Sequence, residues 1–90
     1  LQLPRPDVIL SDFRLGDKDG VYFISRLREE FNDHIPACIL TADTSPQHVL
    51  DFKAMGIDVL YKPIDVVSIE KFIAKQLALS ASAQDGSLQR

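Results

Sequence analysis

Three features of the sequence predict an α/β fold in which helices cover a parallel sheet. Short apolar runs rich in β-branched residues alternate with longer amphipathic ones, strand then helix, three times over. The connections are only a few residues long, which suits right-handed crossovers between parallel strands. The apolar runs are continuous rather than alternating, the pattern of strands covered on both faces.

The first run, Val8-Ile9-Leu10, is entered from Pro6-Asp7 and ends at Ser11-Asp12. A loop rich in Gly and Asp is expected from Phe13 to Gly20, with Asp17 and Asp19 as turn residues. Val21 to Phe31 reads as a helix that turns Phe23, Ile24, Leu27 and Phe31 inward and Arg26, Arg28, Glu29 and Glu30 to water. Asn32 to Pro36 breaks it, because Pro36 disfavours the helical region at Ile35. Ala37 to Leu40 is the second strand, closed by Thr41-Ala42-Asp43. Ser45 and Pro46 supply an N-cap and a proline at the first helical position. The helix they start carries Val49, Phe52 and Met55 inward and stops at Gly56. Ile57 to Tyr61 is the third strand, and Lys62-Pro63 ends it. Asp65 can cap a last helix whose stripe is Ile69, Phe72, Ile73 and Leu77. Ser80 to Arg90 has the Ser, Ala, Gln and Gly content of a frayed tail or linker, so residues 1–79 form the domain and 80–90 follow it.

A chain of 90 residues makes one small domain, 46% hydrophobic and 26% charged, with a mean hydropathy of zero. Its net charge of −3 and lack of a basic stripe argue against a nucleic-acid partner, since phosphate binding needs clustered Lys and Arg. No stretch is long and apolar enough for membrane contact of the spanning kind. Cys38 is the single cysteine, which excludes an internal disulfide and fits a cytoplasmic location. His34 and His48 lack partners at metal-ligand spacing. The chain starts without Met, as a piece of a longer protein would.

The residues that close the three strands carry the chemistry. Asp12, Thr41 and Lys62 each follow an apolar run at its carboxyl end, where open α/β sheets form their ligand crevice. Alone, each has an ordinary explanation: a turn aspartate, a hydroxyl bonded to its own backbone, a solvated ammonium. Together they make a nucleophilic carboxylate able to form an acyl phosphate, with a hydroxyl and a cation for the phosphoryl oxygens.

These segments resemble the response-regulator receiver domains of two-component systems. Pro6-Asp7-Val8-Ile9-Leu10-Ser11-Asp12 is similar to the family's third strand, which ends in the phospho-accepting aspartate. Leu15-Gly16-Asp17-Lys18-Asp19-Gly20 resembles the following loop, Ile39-Leu40-Thr41-Ala42 the Thr/Ser strand, and Tyr61-Lys62-Pro63 the Lys-Pro pair. The resemblance implies a flavodoxin-like, doubly wound parallel sheet of which the last three strand–helix units are present. It implies that Asp12 accepts a phosphoryl group from a phosphohistidine of a histidine kinase or histidine phosphotransfer domain. Thr41 and Lys62 would hold the phosphoryl oxygens, and the peptide bond before Pro63 would be cis. Mg²⁺ would sit between Asp12, the backbone carbonyl of Arg14 and acidic residues outside this chain. The Asp-Phe-Arg-Leu, Thr-Ala-Asp and Leu-Tyr-Lys-Pro wording is most similar to receivers of hybrid sensor histidine kinases.

The sequence departs from the family pattern in three places. No strand ending in an acidic pair precedes Val8, Gly16 stands where a proline is usual, and Val59 occupies the position of the aromatic switch residue. Weak metal binding and poor phosphoryl acceptance by this chain alone are therefore expected. Two rivals are a receiver-like interaction module without phosphotransfer and a haloacid-dehalogenase-type phosphatase. The second needs an acid two positions after the nucleophile, where Arg14 stands. In the sheet order 2-1-3-4-5 the strand at Val8 to Ser11 would form an apolar open edge, which predicts a homodimer of this segment.

Overall fold

The structure, a computed structural model, describes the backbone over residues 4–88 and the side chains over 4–79 except that of Leu15. Three parallel strands, β1 (Ile9–Asp12), β4 (Ala37–Thr41) and β5 (Ile57–Tyr61), form a sheet in the order β1-β4-β5. Ile9 lies opposite Ala37 and Asp12 opposite Leu40, while Ala37 meets Ile57 and Thr41 meets Tyr61. This register brings the carboxyl ends of all three strands to one edge. Helices α1 (Gly20–Phe31), α2 (Pro46–Ala54) and α3 (Val66–Leu88) follow the strands in turn.

Local chemistry sets the helix boundaries. Asp19 caps α1 by accepting from the Tyr22 N–H at 2.9 Å, and Asn32 closes the helix in the left-handed region at φ 48°. Ser45 caps α2 with Pro46 in its first turn. Asp65 accepts from the Ser68 N–H at 2.7 Å at the start of α3. The Ser45 and Asp65 caps agree with the sequence, whereas Asp19, expected as a turn residue, caps α1.

The core gathers Ile9, Phe13, Ile24, Ile35, Ala37, Ile39, Phe52 and Ile57 on one face of the sheet, with Leu27, Phe31, Met55 and Val59 packed around them. Each large side chain buried there contributes roughly 1.5–3 kcal/mol. Arg28 reaches from α1 across this end of the molecule. Its guanidinium donates to the carbonyls of Ile35 (3.0 Å), Met55 (2.8 Å) and Gly56 (3.1 Å). Cys38 is buried in the central strand, and burial pushes its thiol up to about 11, so it is an inert packing residue.

Several expectations are corrected, among them that for Arg28, which folds back onto three carbonyls instead of pointing to water. Phe23 is 41% exposed and packs edge-on against Tyr22, because the sheet covers the flank of α1 that carries Val21. The segment after Asp12 is no plain loop: β2 (Arg14–Leu15) and β3 (Lys18–Asp19) form a short antiparallel hairpin. Gly16, at φ +67°, makes its two-residue turn possible. Burial on both faces holds only for the central strand, since Leu10 of β1 is 36% exposed, and Leu77 of the α3 stripe is likewise exposed. Finally, α3 (Val66–Leu88) runs on into the stretch expected as a frayed tail or linker, so that stretch is helical and not frayed; the Ala, Gln and Leu residues there are good helix formers.

Candidate functional site at the strand ends

Asp12, Thr41 and Lys62 all lie at the carboxyl edge of the sheet. Asp12 is the last residue of β1, Thr41 the last of β4, and Lys62 directly follows β5. The Lys62 N–H donates to the Thr41 carbonyl at 2.8 Å, which fixes where the lysine leaves the sheet. Its ammonium then reaches Asp12, with Nζ 2.9 Å from Oδ1. Both side chains are about half exposed, at 47% and 48%. An exposed pair of this kind adds at most about 1 kcal/mol to stability. Its meaning is positional: it shows the lysine able to meet charge on or near that carboxylate. The bond between Lys62 and Pro63 is cis, as the resemblance implies.

Thr41 is buried, yet it lines an open cleft of about 390 Å³ together with Phe13, Arg14, Asp43 and Lys62. Its hydroxyl oxygen accepts from the Asp43 N–H at 2.9 Å. Asp12 is held from behind by α1. The Gly20 N–H donates to the Phe13 carbonyl at 2.7 Å, and a Cβ on Gly20 would fall 2.4 Å from the Asp12 carbonyl oxygen.

Asp43, outside the expected triad, lines the cleft, and His48 pairs with it from the start of α2. Asp43 Oδ2 lies 2.9 Å from His48 Nδ1 and 3.7 Å from the Arg14 guanidinium. Asp43 Oδ1 accepts from the Ser45 N–H at 2.8 Å. That backbone donor, then the imidazole, holds the Asp43 carboxyl below the usual carboxylate range. His48 therefore has a carboxylate partner five residues away, within the Asp-x-Ser-Pro loop and the first turn of α2. The Asx-turn pattern Asp43-Thr44-Ser45 was the available signal for this.

The donor set for a divalent cation is incomplete. Asp12 offers one carboxylate and Arg14 one backbone carbonyl, whereas Mg²⁺ asks for near-octahedral oxygen coordination. Among the described residues no cluster of three His, Cys, Asp or Glu side chains could hold a metal ion. These residues alone do not fit a Mg²⁺ site. A second cleft, about 500 Å³, lies on the other face between β5 and α3, lined by Cys38, Leu60 and Phe72, away from Asp12.

Parallel strands linked by helices, with polar residues gathered at the carboxyl ends, place the chain among doubly wound α/β proteins. Within that class it belongs to the response regulator receiver domain family, which its sequence matches over residues 1–74. The Staphylococcus aureus transcriptional regulatory protein KdpE is 30% identical over 89 residues, covering 98% of this chain and 38% of KdpE. The Salmonella typhimurium regulator ZraR is 32% identical over 73 residues, 80% of this chain and 16% of its own length. Among solved structures, the Vibrio cholerae chemotaxis protein CheY4 superposes with a TM-score of 0.68 at 30% identity, over 80% of this chain and 62% of that one. A Clostridium difficile response regulator reaches 0.71 at 22% identity, over 83% and 61%. The chain thus spans less than two thirds of each of these proteins. The fold is CheY-like, and receiver domains of this family serve two-component signalling and bind Mg²⁺. Among the described residues no helix is long and apolar enough to cross a membrane.

Proposed function

We propose that Asp12 is the phosphoacceptor of this receiver domain. A carboxylate oxygen of Asp12 attacks the phosphorus of a phosphohistidine on a histidine kinase or phosphotransfer domain. The P–N bond breaks as the P–O bond forms, and the imidazole nitrogen leaves with the bonding pair. Lys62 and the Thr41 hydroxyl then bind oxygens of the acyl phosphate. The observation that supports this reading best is the 2.9 Å contact between Lys62 Nζ and Asp12 Oδ1 beside the Thr41 cleft. A cation already in contact with the nucleophile needs only a small turn to meet the phosphoryl group. Arg14, two positions after Asp12, speaks against a phosphatase that uses an acid there.

Mg²⁺ is proposed for the intact domain, with Asp12 and the Arg14 carbonyl among its ligands and the remaining carboxylates supplied from outside this chain. The test uses the full-length protein that carries this chain, a phosphorylated histidine donor and Mg²⁺. Borohydride trapping and peptide mapping should place the acyl phosphate on Asp12. A donor that transfers nothing to Asp12 would favour the interaction module instead.

The setting is proposed to be the cytoplasm, in keeping with a single reduced, buried thiol. The wording of the strand ends favours a hybrid sensor histidine kinase as parent, whereas KdpE and ZraR are transcriptional regulatory proteins. The domains that flank this segment in the full-length protein decide between the two. Among the described residues β1 pairs on one side only, with apolar Leu10 partly exposed, so the isolated segment is proposed to form a two-fold dimer through that edge. Light scattering should report a dimer at high concentration; a monomer throughout would count against it.

A further inference from the structure

Beside Asp12 runs a hydrogen-bonded chain that the phosphoacceptor reading leaves unused: His48, Asp43 and Thr41. His48 stands on the first turn of α2, with Nδ1 2.9 Å from Asp43 Oδ2. An ionised carboxylate only accepts, so Nδ1 carries the proton in this pair. The Ser45 N–H holds the other carboxylate oxygen at 2.8 Å. Asp43 in turn donates its own N–H to Thr41 Oγ1 at 2.9 Å. One carboxylate thus joins the start of α2 to the loop that leaves β4.

The imidazole is also fixed by packing. Its ring lies edge-on to Phe13, with centroids 4.9 Å apart, and nearly parallel to Phe52 at 6.2 Å. Phe13 is buried, follows Asp12 directly, and donates its N–H to the Leu40 carbonyl at 3.0 Å. His48 therefore touches the segment after Asp12 through its ring and governs the loop after Thr41 through its hydrogen bond.

The consequence falls on the Thr41 hydroxyl. A hydroxyl has one hydrogen to donate and two lone pairs to accept with. The Asp43 N–H occupies a lone pair and so restricts the rotor, leaving the O–H free to donate. Thr41 lines the same cleft as Lys62 and Arg14, where a phosphoryl oxygen on Asp12 would lie. A donor helps such a group in proportion to how firmly it is oriented beforehand.

We propose that His48 is a positioning residue which, through Asp43, holds the Thr41 hydroxyl as a donor toward a phosphoryl group on Asp12. The proposal rests on the phosphoacceptor reading of Asp12. His48 itself meets no reacting atom, and its effect travels through two hydrogen bonds.

The experiment compares His48→Leu and His48→Asn in the full-length protein. Leucine keeps apolar bulk against Phe13 and removes the donor. Asparagine places an amide nitrogen close to where Nδ1 stands. The initial rate of Asp12 phosphorylation by a phosphorylated histidine donor should fall about fivefold in His48→Leu, a fraction of the worth of one charge-assisted hydrogen bond because the effect is passed on through Asp43. In His48→Asn it should return to within about twofold of the native rate. Hydrogen exchange of the Asp43 amide, followed by NMR, reads the same coupling without any phosphoryl group. It should speed up about tenfold in His48→Leu and stay slow in His48→Asn. If leucine prevents folding, His48→Phe keeps an aromatic ring against Phe13 and serves as the donor-free variant. Unchanged Asp43 exchange in the donor-free variant overturns the proposal. So does an asparagine variant as slow in phosphorylation as leucine, which would leave packing as the whole effect. A native protein that takes no phosphoryl group on Asp12 sinks the phosphoacceptor reading instead, while the exchange arm still judges the His48–Asp43–Thr41 coupling.

Discussion

Asp12→Asn should abolish phosphoryl transfer to the full-length protein, lowering the rate by roughly 10³-fold or more, while leaving its thermal midpoint almost unchanged. The two halves of this expectation have separate causes. Asparagine has nearly the shape of aspartate but no anionic oxygen to attack phosphorus, so the acyl phosphate cannot form. The structural cost is small because both partners in the Asp12–Lys62 pair are about half exposed. Losing an ion pair in that setting costs at most about 1 kcal/mol. Intact-mass measurement after incubation with a phosphorylated donor checks the first half, and calorimetry the second. A phosphoryl adduct that persists in Asp12→Asn would move the acceptor elsewhere.

Gly20→Ala should lower stability by about 2 kcal/mol, although alanine is the better helix former. Helix preference favours alanine by up to about 1 kcal/mol. Against it stands a Cβ that would lie 2.4 Å from the Asp12 carbonyl oxygen, 2.7 Å from Ile39 Cδ1 and 2.8 Å from Ser11 Oγ. The first of these is backbone and cannot rotate away, so the overlap costs at the upper end of about 1–3 kcal/mol or more. Overlap wins. For a domain of this size a net loss near 2 kcal/mol corresponds to a midpoint lower by about 8–16 °C. Because α1 must then back away from the end of β1, Asp12 shifts as well, and phosphoryl uptake should fall with stability. A thermal midpoint equal to the native one would show that the approach of α1 to β1 is looser than the structure describes.

The sequence carried most of the fold because each boundary has its own local chemistry. Ser45-Pro46 and Asp65 cap the helices they were expected to cap, and the three apolar runs became the three parallel strands. The triad was legible for the same reason, since a strand end is a position in sequence as well as in space. What escaped depends on contacts between segments. Phe23 looks like a core residue by spacing, and only the placement of α1 on the sheet turns it outward. The β2–β3 hairpin involves just two residue pairs, too few for an alternating pattern to announce it. The pairing of His48 with Asp43 needs the α2 start folded back over Phe13, a distance no composition reveals. The helical 80–88 segment illustrates the converse, a stretch whose small polar residues suit a linker and a helix alike.

Arg28 gives the molecule two ends of different character. Its three carbonyl contacts lie where the chain enters β4 and β5, at the edge of the sheet opposite Asp12. That guanidinium stitches both incoming crossovers to the last turns of α1, so the amino ends of the strands behave as a fixed anchor. Among the described residues no single side chain spans three carbonyls at the opposite edge: it is held by backbone hydrogen bonds such as Lys62 to Thr41 and Phe13 to Leu40, by the half-exposed Asp12–Lys62 pair and by the hydrogen bonds around Asp43. A charge added at that edge therefore works against a fulcrum. Rearrangements that follow the proposed phosphorylation of Asp12 are then expected at the start of α2 and in the loop after β5, while the Arg28 end stays put.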